Sequence, residues 1–482
     1  MITDMIRNLL LHILCSIFLF FVPFSIFAWE EHALGIFPSL ENSSLVMNQK
    51  PVQVSDLSVF LIQHEKEIEA LLGDEEVWAS AHLENYKPLP EALAFRATGD
   101  ASTVVSRFVQ ALRINPDLQL KPYLQADPRH GCKGRPVNHT KLTIFQDESL
   151  FSQVEFCTIK QGDTVSVLDI ISSASDEPDH GMDVGLFENN HIENSPSENL
   201  RKSYNFGVQP FGDDRLEYGS QPPFHMGFYH EAGIIYAAAP FLKETYPEYR
   251  VHQFRQLALF ALKKGDRYWG YRFLGWALHY ITDLTQPYHA TVLPGVSTFK
   301  MLWINFLAII GFDSMKNNTV NLVSNRHTAI EKIQQNLLTQ IMKDNDTENP
   351  LLLAFADHSA DNQYPKYSAT YLRDVVAKES NERASTLDQV LVDALPAKYV
   401  SDPSFEYTAA DKERLIDDAR HKSEDGFREL TQFLIQTFRS LGAHSRNFVE
   451  SAIIEAGEVS AQQPVVSSNF VVIRSDGRNA SD

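Results

Sequence analysis

The stretch GWALHYITDLTQPYHA, residues 275–290, sets three groups able to bind a metal, His279, Asp283 and His289, inside an apolar run. Asp283 follows His279 by four residues, so on an α-helix the imidazole and the carboxylate leave one face, a turn apart. Pro287 and the residue before it disfavour further helix, so the chain is expected to turn there and return His289 toward the same place. The array H-x3-D-x5-H suits metal ions, although a helix end with a surface aspartate and two ordinary histidines has the same spacing. A second pair, His327 and Glu331 in NRHTAIE, repeats the i, i+4 arrangement. Two helices that each present a histidine and a carboxylate one turn apart are a recurrent way for a helical protein to build a polynuclear site.

Further ligand candidates stand upstream. SASDEPDHGMD supplies Asp176, Asp179 and Asp183 in a Gly/Pro loop, and PPFHMGFYHEAG supplies His225 and His230. Acidic loops are commonly no more than solvated turns, so the order of these residues along the chain carries the weight. At the start, one arginine precedes an apolar run from Leu9 to Phe27, and Ala28 with Ile26 two places before it offers a cleavage site. Residues 1–28 therefore read as a secretory signal peptide, and the mature protein is expected to be secreted or periplasmic. A retained anchor is the competing reading, but Pro23 interrupts the run. Cleavage after Ala28 would make Trp29 the N-terminus. Its α-amine, with a reference pKa of about 7.7–8.0, could then chelate a metal together with its own carbonyl.

Of three cysteines, Cys132 and Cys157 would remain after processing, and an oxidising compartment predicts one disulfide. A cysteine-rich zinc finger is excluded by number, so a metal must be held by His, Asp, Glu and the terminus. The composition, 44% hydrophobic and 22% charged, is that of a folded globular protein. A formal net charge of −20 is a poor match to polyanions gripped by a basic groove.

The elements that must position these groups are mostly helical from about 225 to 455. HEAGIIYAAAPFLKET, VHQFRQLALFALKKG, WGYRFLGWALHYITDL, TAIEKIQQNLLTQIM and DGFRELTQFLIQTFRSLG all repeat apolar residues at three- and four-residue spacing. Residues 140–172 suggest a small strand-containing insertion, 173–224 read as loop, and 461–482 read as a C-terminal tail. The chain is expected to form one helical domain over 29–460, with insertions at about 65–170 and 291–325.

Trp29 at a processed N-terminus, then His32, Asp176, His225, H-x3-D-x5-H with TQP inside it, and H-x3-E resembles the zinc-dependent phospholipase C and S1/P1 nuclease superfamily. The glutamate at Glu331 resembles its bacterial phospholipase C branch. The resemblance implies a mainly α, multi-helix bundle with a small strand-containing insertion, and three bound zinc ions. Carried over, Asp176, His225, His279 and Asp283 would hold one zinc, and His289, His327 and Glu331 a second. The Trp29 amine and carbonyl with His32 would hold the third, which Asp283 bridges to the first. His225 is preferred to His230 because it sits at a loop-to-helix junction. His32 follows Trp29 more closely than in better-known members, which leaves His64 as a rival, and the long interval from Trp29 to Asp176 implies a large insertion.

The activity implied is hydrolysis of a glycerophospholipid, phosphatidylcholine foremost, to diacylglycerol and a phosphorylated head group. Zinc would engage the phosphoryl oxygens and lower the pKa of water, with Asp176 as the catalytic carboxylate that orients or deprotonates it. No G-x-S-x-G elbow suggests a protein nucleophile. Glu30 and Glu31 could meet a cationic head group, or could be an exposed acidic pair. TFKMLWINFLAIIGF, between His289 and His327, reads either as an apolar lip that engages a membrane surface transiently or as a buried core helix. The alternatives are a single-strand nuclease of the same superfamily, with nucleic acid as partner, and a non-catalytic, metal-stabilised lipid-binding protein.

Overall fold

The computed structural model describes residues 31–190, 197–214 and 218–458. Trp29, Glu30, the signal segment and the tail fall outside the described residues. The described chain is mainly helical, with two small antiparallel sheets.

Eleven helices position the site. They are α1 His32–Leu40, α2 Val167–Ala174, α3 Pro222–His225, α4 Pro247–Lys264, α5 Arg267–Asp283 and α6 Pro287–Ala290. After them come α7 Thr298–Ile309, α8 Ser314–Lys343, α9 Lys378–Ala394, α10 Ala409–Lys422 and α11 Glu424–Ala456. Local chemistry sets several of their ends. Proline occupies the first turn of α4, and Gly265 takes the left-handed conformation (φ 86°) just past its end. Asp266 then caps α5 by accepting the Trp269 N–H. This short link folds α4 and α5 against each other.

Helix α5 lies at the centre. Every residue from Tyr268 to Asp283 is buried, because α5 packs on α4, α2 and α11 and on the strand Val52–Gln53. A helix apolar on all sides is what such a position requires. Arg272, His279, Thr282 and Asp283 are the exceptions that need explaining. Gly275 permits the closest approach. A Cβ there would meet the Ala174 Cβ at 2.5 Å and the Ile171 carbonyl at 2.7 Å, so its absence lets the end of α2 rest on α5 one turn before His279.

Two strands lie within the expected region, Phe156–Thr158 and Thr164–Val165, and their partners come from earlier in the chain. One sheet runs in the order Tyr123–Gln125, Phe156–Thr158, Arg135–Val137, and a second pairs Val52–Gln53 with Thr164–Val165. A Cys132–Cys157 disulfide, with Cα atoms 5.6 Å apart, ties the first sheet to its loop. The β-branched run after Val165 forms α2 instead of a strand, since Ser166 accepts the Asp169 N–H and starts a helix. The expected helix through residues 230–245 is broken at Pro240 into Gly233–Ala238 and a 3-10 turn.

The apolar segment after His289 becomes α7, and most of it faces outward. Phe299 is 78% exposed, Phe312 63% and Trp303 49%. The core-helix reading therefore does not hold: only Met301 and Ile304 of α7 are buried. Among the described residues, no helix is long and apolar enough to cross a membrane.

Candidate metal centre

Three buried groups of histidines and carboxylates could hold metal ions. They are His32, His279 and Asp283; Asp179, His225 and His279; and His289, His327 and Glu331, with the candidate ligand atoms of each within 4.8 Å of one another. His279 belongs to two of them. The i, i+4 pairs close as expected, with His279 Nε2 3.1 Å from Asp283 Oδ2 and His327 Nε2 2.7 Å from Glu331 Oε1. The chain turns after Asp283 and places His289 Nε2 3.3 Å from Glu331 Oε1.

Outer partners fix the tautomers. His279 Nδ1–H donates to the Ser175 carbonyl at 2.7 Å, and His289 Nδ1–H to the His225 carbonyl at 2.9 Å. A carbonyl only accepts, so each ring keeps its Nε2 lone pair for the interior. His32 follows the same rule through Thr282. The threonine hydroxyl donates to the carbonyls of Leu278 and His279, which leaves its oxygen to accept from His32 Nδ1 at 2.7 Å. His225 is inverted. Its Nδ1 faces Asp283 at 3.0 Å, while Nε2 lies 3.4 Å from Asp183. Asp183 in turn accepts from Arg250 Nη2 and from the Tyr280 hydroxyl, both at 2.6 Å. On the other flank Tyr288 stacks on His327 and donates to Asp388, both of whose oxygens also accept from Arg326 Nη1.

Burial dominates the electrostatics of these groups. Burial, and then the neighbouring His279, drive His32 down to about 3. Burial takes His327 down to about 3 and Glu331 up to about 7. Burial also opposes the charging of His225, yet Asp283, Asp183 and Asp179 overcome it and lift this imidazole to about 10. Asp179 is pushed well above the carboxylate range by burial, with His225 opposing. Among the buried side-chain atoms with no hydrogen bond are His32 Nε2, Asp179 Oδ2 and Asp283 Oδ1. They converge, with His32 Nε2 3.5 Å from the Asp179 oxygen and 3.4 Å from the Asp283 oxygen. Buried polar atoms left unpaired are costly, and a cation between them is the chemical remedy.

Eight residues named as candidates from the sequence meet here: His32, Asp179, His225, His279, Asp283, His289, His327 and Glu331. Asp176 is not in the ligand groups, where Asp179 of the same turn stands with His225 and His279. The Asp176 carboxylate accepts the Ala33 N–H at 3.2 Å and so anchors the start of α1, which carries His32. His64 is no rival, since it pairs with Glu67 on the surface at 2.9 Å. His230 bonds the Arg373 carbonyl at 2.7 Å, outside the groups. Glu31 is neither exposed nor open to a ligand from outside, being 5% exposed with its Oε1 accepting from Gln335. Trp29 lies outside the described residues. Asp183, Arg250, Tyr280, Tyr288 and Asp388 were not legible as support, because their partners are far away in the chain.

A cavity of about 540 Å³ opens on the groups. Asp176, Asp179 and Glu331 line its inner end, and Lys332, Gln335 and Lys412 its wall. Burial, and then Lys412, pull the Lys332 ammonium down to about 7. No family model, no curated protein and no solved structure matches the chain.

Proposed function

We propose that the protein is a zinc-dependent phospholipase C that hydrolyses glycerophospholipids to diacylglycerol and a phosphorylated head group. The observation that supports it most directly is that three buried histidine and carboxylate groups adjoin one another and that two of them reach one cavity, through Asp179 and Glu331. The donor set of imidazole and carboxylate without cysteine suits zinc. Donors bound tetrahedrally at about 2.0–2.1 Å stand roughly 3.3 Å apart, close to the 3.4 and 3.5 Å separations around His32 Nε2. Trp29, next to Glu30 and just before the described residues, would add its amine beside His32 if processing frees it.

When bound, zinc supplies electrophilic stabilisation of the phosphoryl oxygens and a lower pKa for water. The chain supplies the rest. The Nδ1 atoms of His279, His289 and His32 are engaged by acceptor-only or committed partners, so these rings are aimed with Nε2 toward the groups. Asp179 both belongs to a ligand group and lines the cavity, which makes it, in place of Asp176, the carboxylate placed to take a proton from the attacking water.

Lipid is favoured over nucleic acid by α7. The chain leaves the site at His289 and returns to it at His327, and between them it exposes Phe299, Trp303, Phe306 and Phe312. Such an aromatic, apolar surface suits the boundary of a bilayer, and the acidic net charge of the chain opposes polyanion binding. The test is a parallel assay of protein starting at Trp29 on phospholipid and on single-stranded DNA, with chelator and zinc add-back. Chelator-sensitive release of phosphorylated head group without DNA cleavage is expected. DNA cleavage alone would transfer the site to the nuclease reading, and bound zinc with neither activity would leave a lipid-binding protein.

A further inference from the structure

The cavity that adjoins the ligand groups borders a second and larger one, of about 830 Å³. Gln153, Asn336 and Glu413 line both. Gln153 Nε2 donates to Asn336 Oδ1 at 3.2 Å, so a hydrogen bond between two neutral amides stands at the border. The linings differ in kind. Around the first cavity are the carboxylates of Asp176, Asp179 and Glu331. The second is walled by Leu337 and Ile341 of α8, Ile416 of α10, Phe427 and Ile435 of α11, and Leu351 of the helix Pro350–Ala356. The charged residues that line it, Lys343, Asp344, Asp346, Glu413, Asp417 and Arg420, are all exposed and form a solvated rim. Its neutral polar side chains are mostly committed to the protein: Gln340 donates to Asp344, Asn336 to the Lys412 carbonyl and Thr431 to the Phe427 carbonyl. Thr339 is the exception, buried and lining the cavity with a hydroxyl that makes no hydrogen bond.

Apolar walls open to water are a standing cost that an apolar ligand removes. Polar side chains already bonded to the protein lose nothing when such a ligand enters, and the charges at the rim stay in water. The Thr339 hydroxyl, without a partner in the protein, is available to an ester oxygen. A glycerophospholipid has the same division as the two cavities, with a phosphodiester for the polar one and acyl chains for the apolar one. The bond at the border is no barrier, since a neutral hydrogen bond contributes little net stability. We propose that the larger cavity is an acyl-chain site, and that a glycerophospholipid with its phosphodiester at the ligand groups lays one chain past Gln153 and Asn336 between α8, α10 and α11. The site rests on the phospholipase reading and gives it a preference for long chains over short ones in monomeric lipid, separate from any contact of α7 with a bilayer.

Two measurements on the zinc-loaded protein starting at Trp29 test it. In the first, dioctanoylglycerol with a photoactivatable diazirine at the end of one chain is cross-linked to the parent, and the labelled residues are mapped by mass spectrometry. Labels within 337–351 and 416–435 that unlabelled dioctanoylglycerol competes away are expected, whereas labels confined to α7 or scattered without competition overturn the proposal. In the second, kcat/KM is measured on monomeric phosphatidylcholines from dibutyryl to dioctanoyl. The parent gains roughly fourfold for each methylene buried, and I416W and I435W, which fill the cavity from two different helices, flatten that rise. A flat series in the parent, or the parent's slope in both variants, overturns the proposal. Turnover with labels on α7 alone keeps the phospholipase reading and removes the site. If no lipid is turned over but the competed label maps to the cavity and is lost in I416W and I435W, the phospholipase reading fails and the acyl-chain site stands.

Discussion

Residues 275–290 and 298–312 are both apolar runs, separated by seven residues, yet they meet opposite fates. The first forms the end of α5 and all of α6, and His279, Asp283 and His289 in it are 0% exposed. The second forms α7 and the turn after it, and there Phe299, Phe306 and Phe312 are half or more exposed. Polar groups are inside and aromatic rings outside, the reverse of the usual partition. Each inversion carries a cost in the isolated protein, and under the proposed function each would accommodate something from outside: a cation in the first region, an apolar surface in the second.

The strongest way to break this comparison is at Asp283, whose oxygens reach His32, His225 and His279. Asp283→Asn should strip the protein of metal and remove the rise in melting temperature that metal gives the parent. Elemental analysis after dialysis decides it, and a full metal complement would reduce the polar residues of α5 to an internal hydrogen-bond network. Next is Arg250→Met, which leaves Asp183 buried without its guanidinium. It should cost about 3–5 kcal/mol in urea denaturation, because the pair is wholly buried. A loss below 1 kcal/mol, on the scale of an exposed ion pair, would show that this support is dispensable.

A smaller effect is expected at Gly275→Val. The side chain would collide with Ala174 and Ile171 and destabilise by roughly 1–3 kcal/mol through overpacking. It should also weaken metal retention, since it pushes Ser175 away from His279. On the exposed side, the triple variant Phe299→Ser, Trp303→Ser, Phe306→Ser should shift stability by no more than about 0.5 kcal/mol per site. Its turnover of monomeric lipid should persist while its turnover of vesicles falls. A parallel fall on both substrates would take α7 out of lipid engagement and leave its exposure unexplained.

The pairs His279/Asp283 and His327/Glu331 could be read from the sequence because helix geometry alone puts residues four apart on one face. Asp179 could not be separated from Asp176 in this way. Both lie in the turn that follows α2, and the choice between them is made by the Ala33 N–H, which engages Asp176 from 143 residues away. The same limit hid Asp183 with Arg250 and Tyr288 with Asp388, pairs that are 67 and 100 residues apart. The helical class was legible from periodicity. Of the sheet only the neighbourhood of its central strand, Phe156–Thr158, was legible, since three-residue strands are shorter than any pattern that alternation can reveal.

By itself the sequence determined the ligand types, the two i, i+4 pairs, the turn at Pro287 and the helical character of the chain, all of which depend on local backbone geometry. Tertiary structure alone decided that His279 serves two groups, that Asp179 stands beside His225 and His279, and that α7 lies outside the core. It also decided that Gln153 and Asn336 line two cavities at once. These outcomes depend on which distant surfaces are buried against one another, and local propensity carries no record of that.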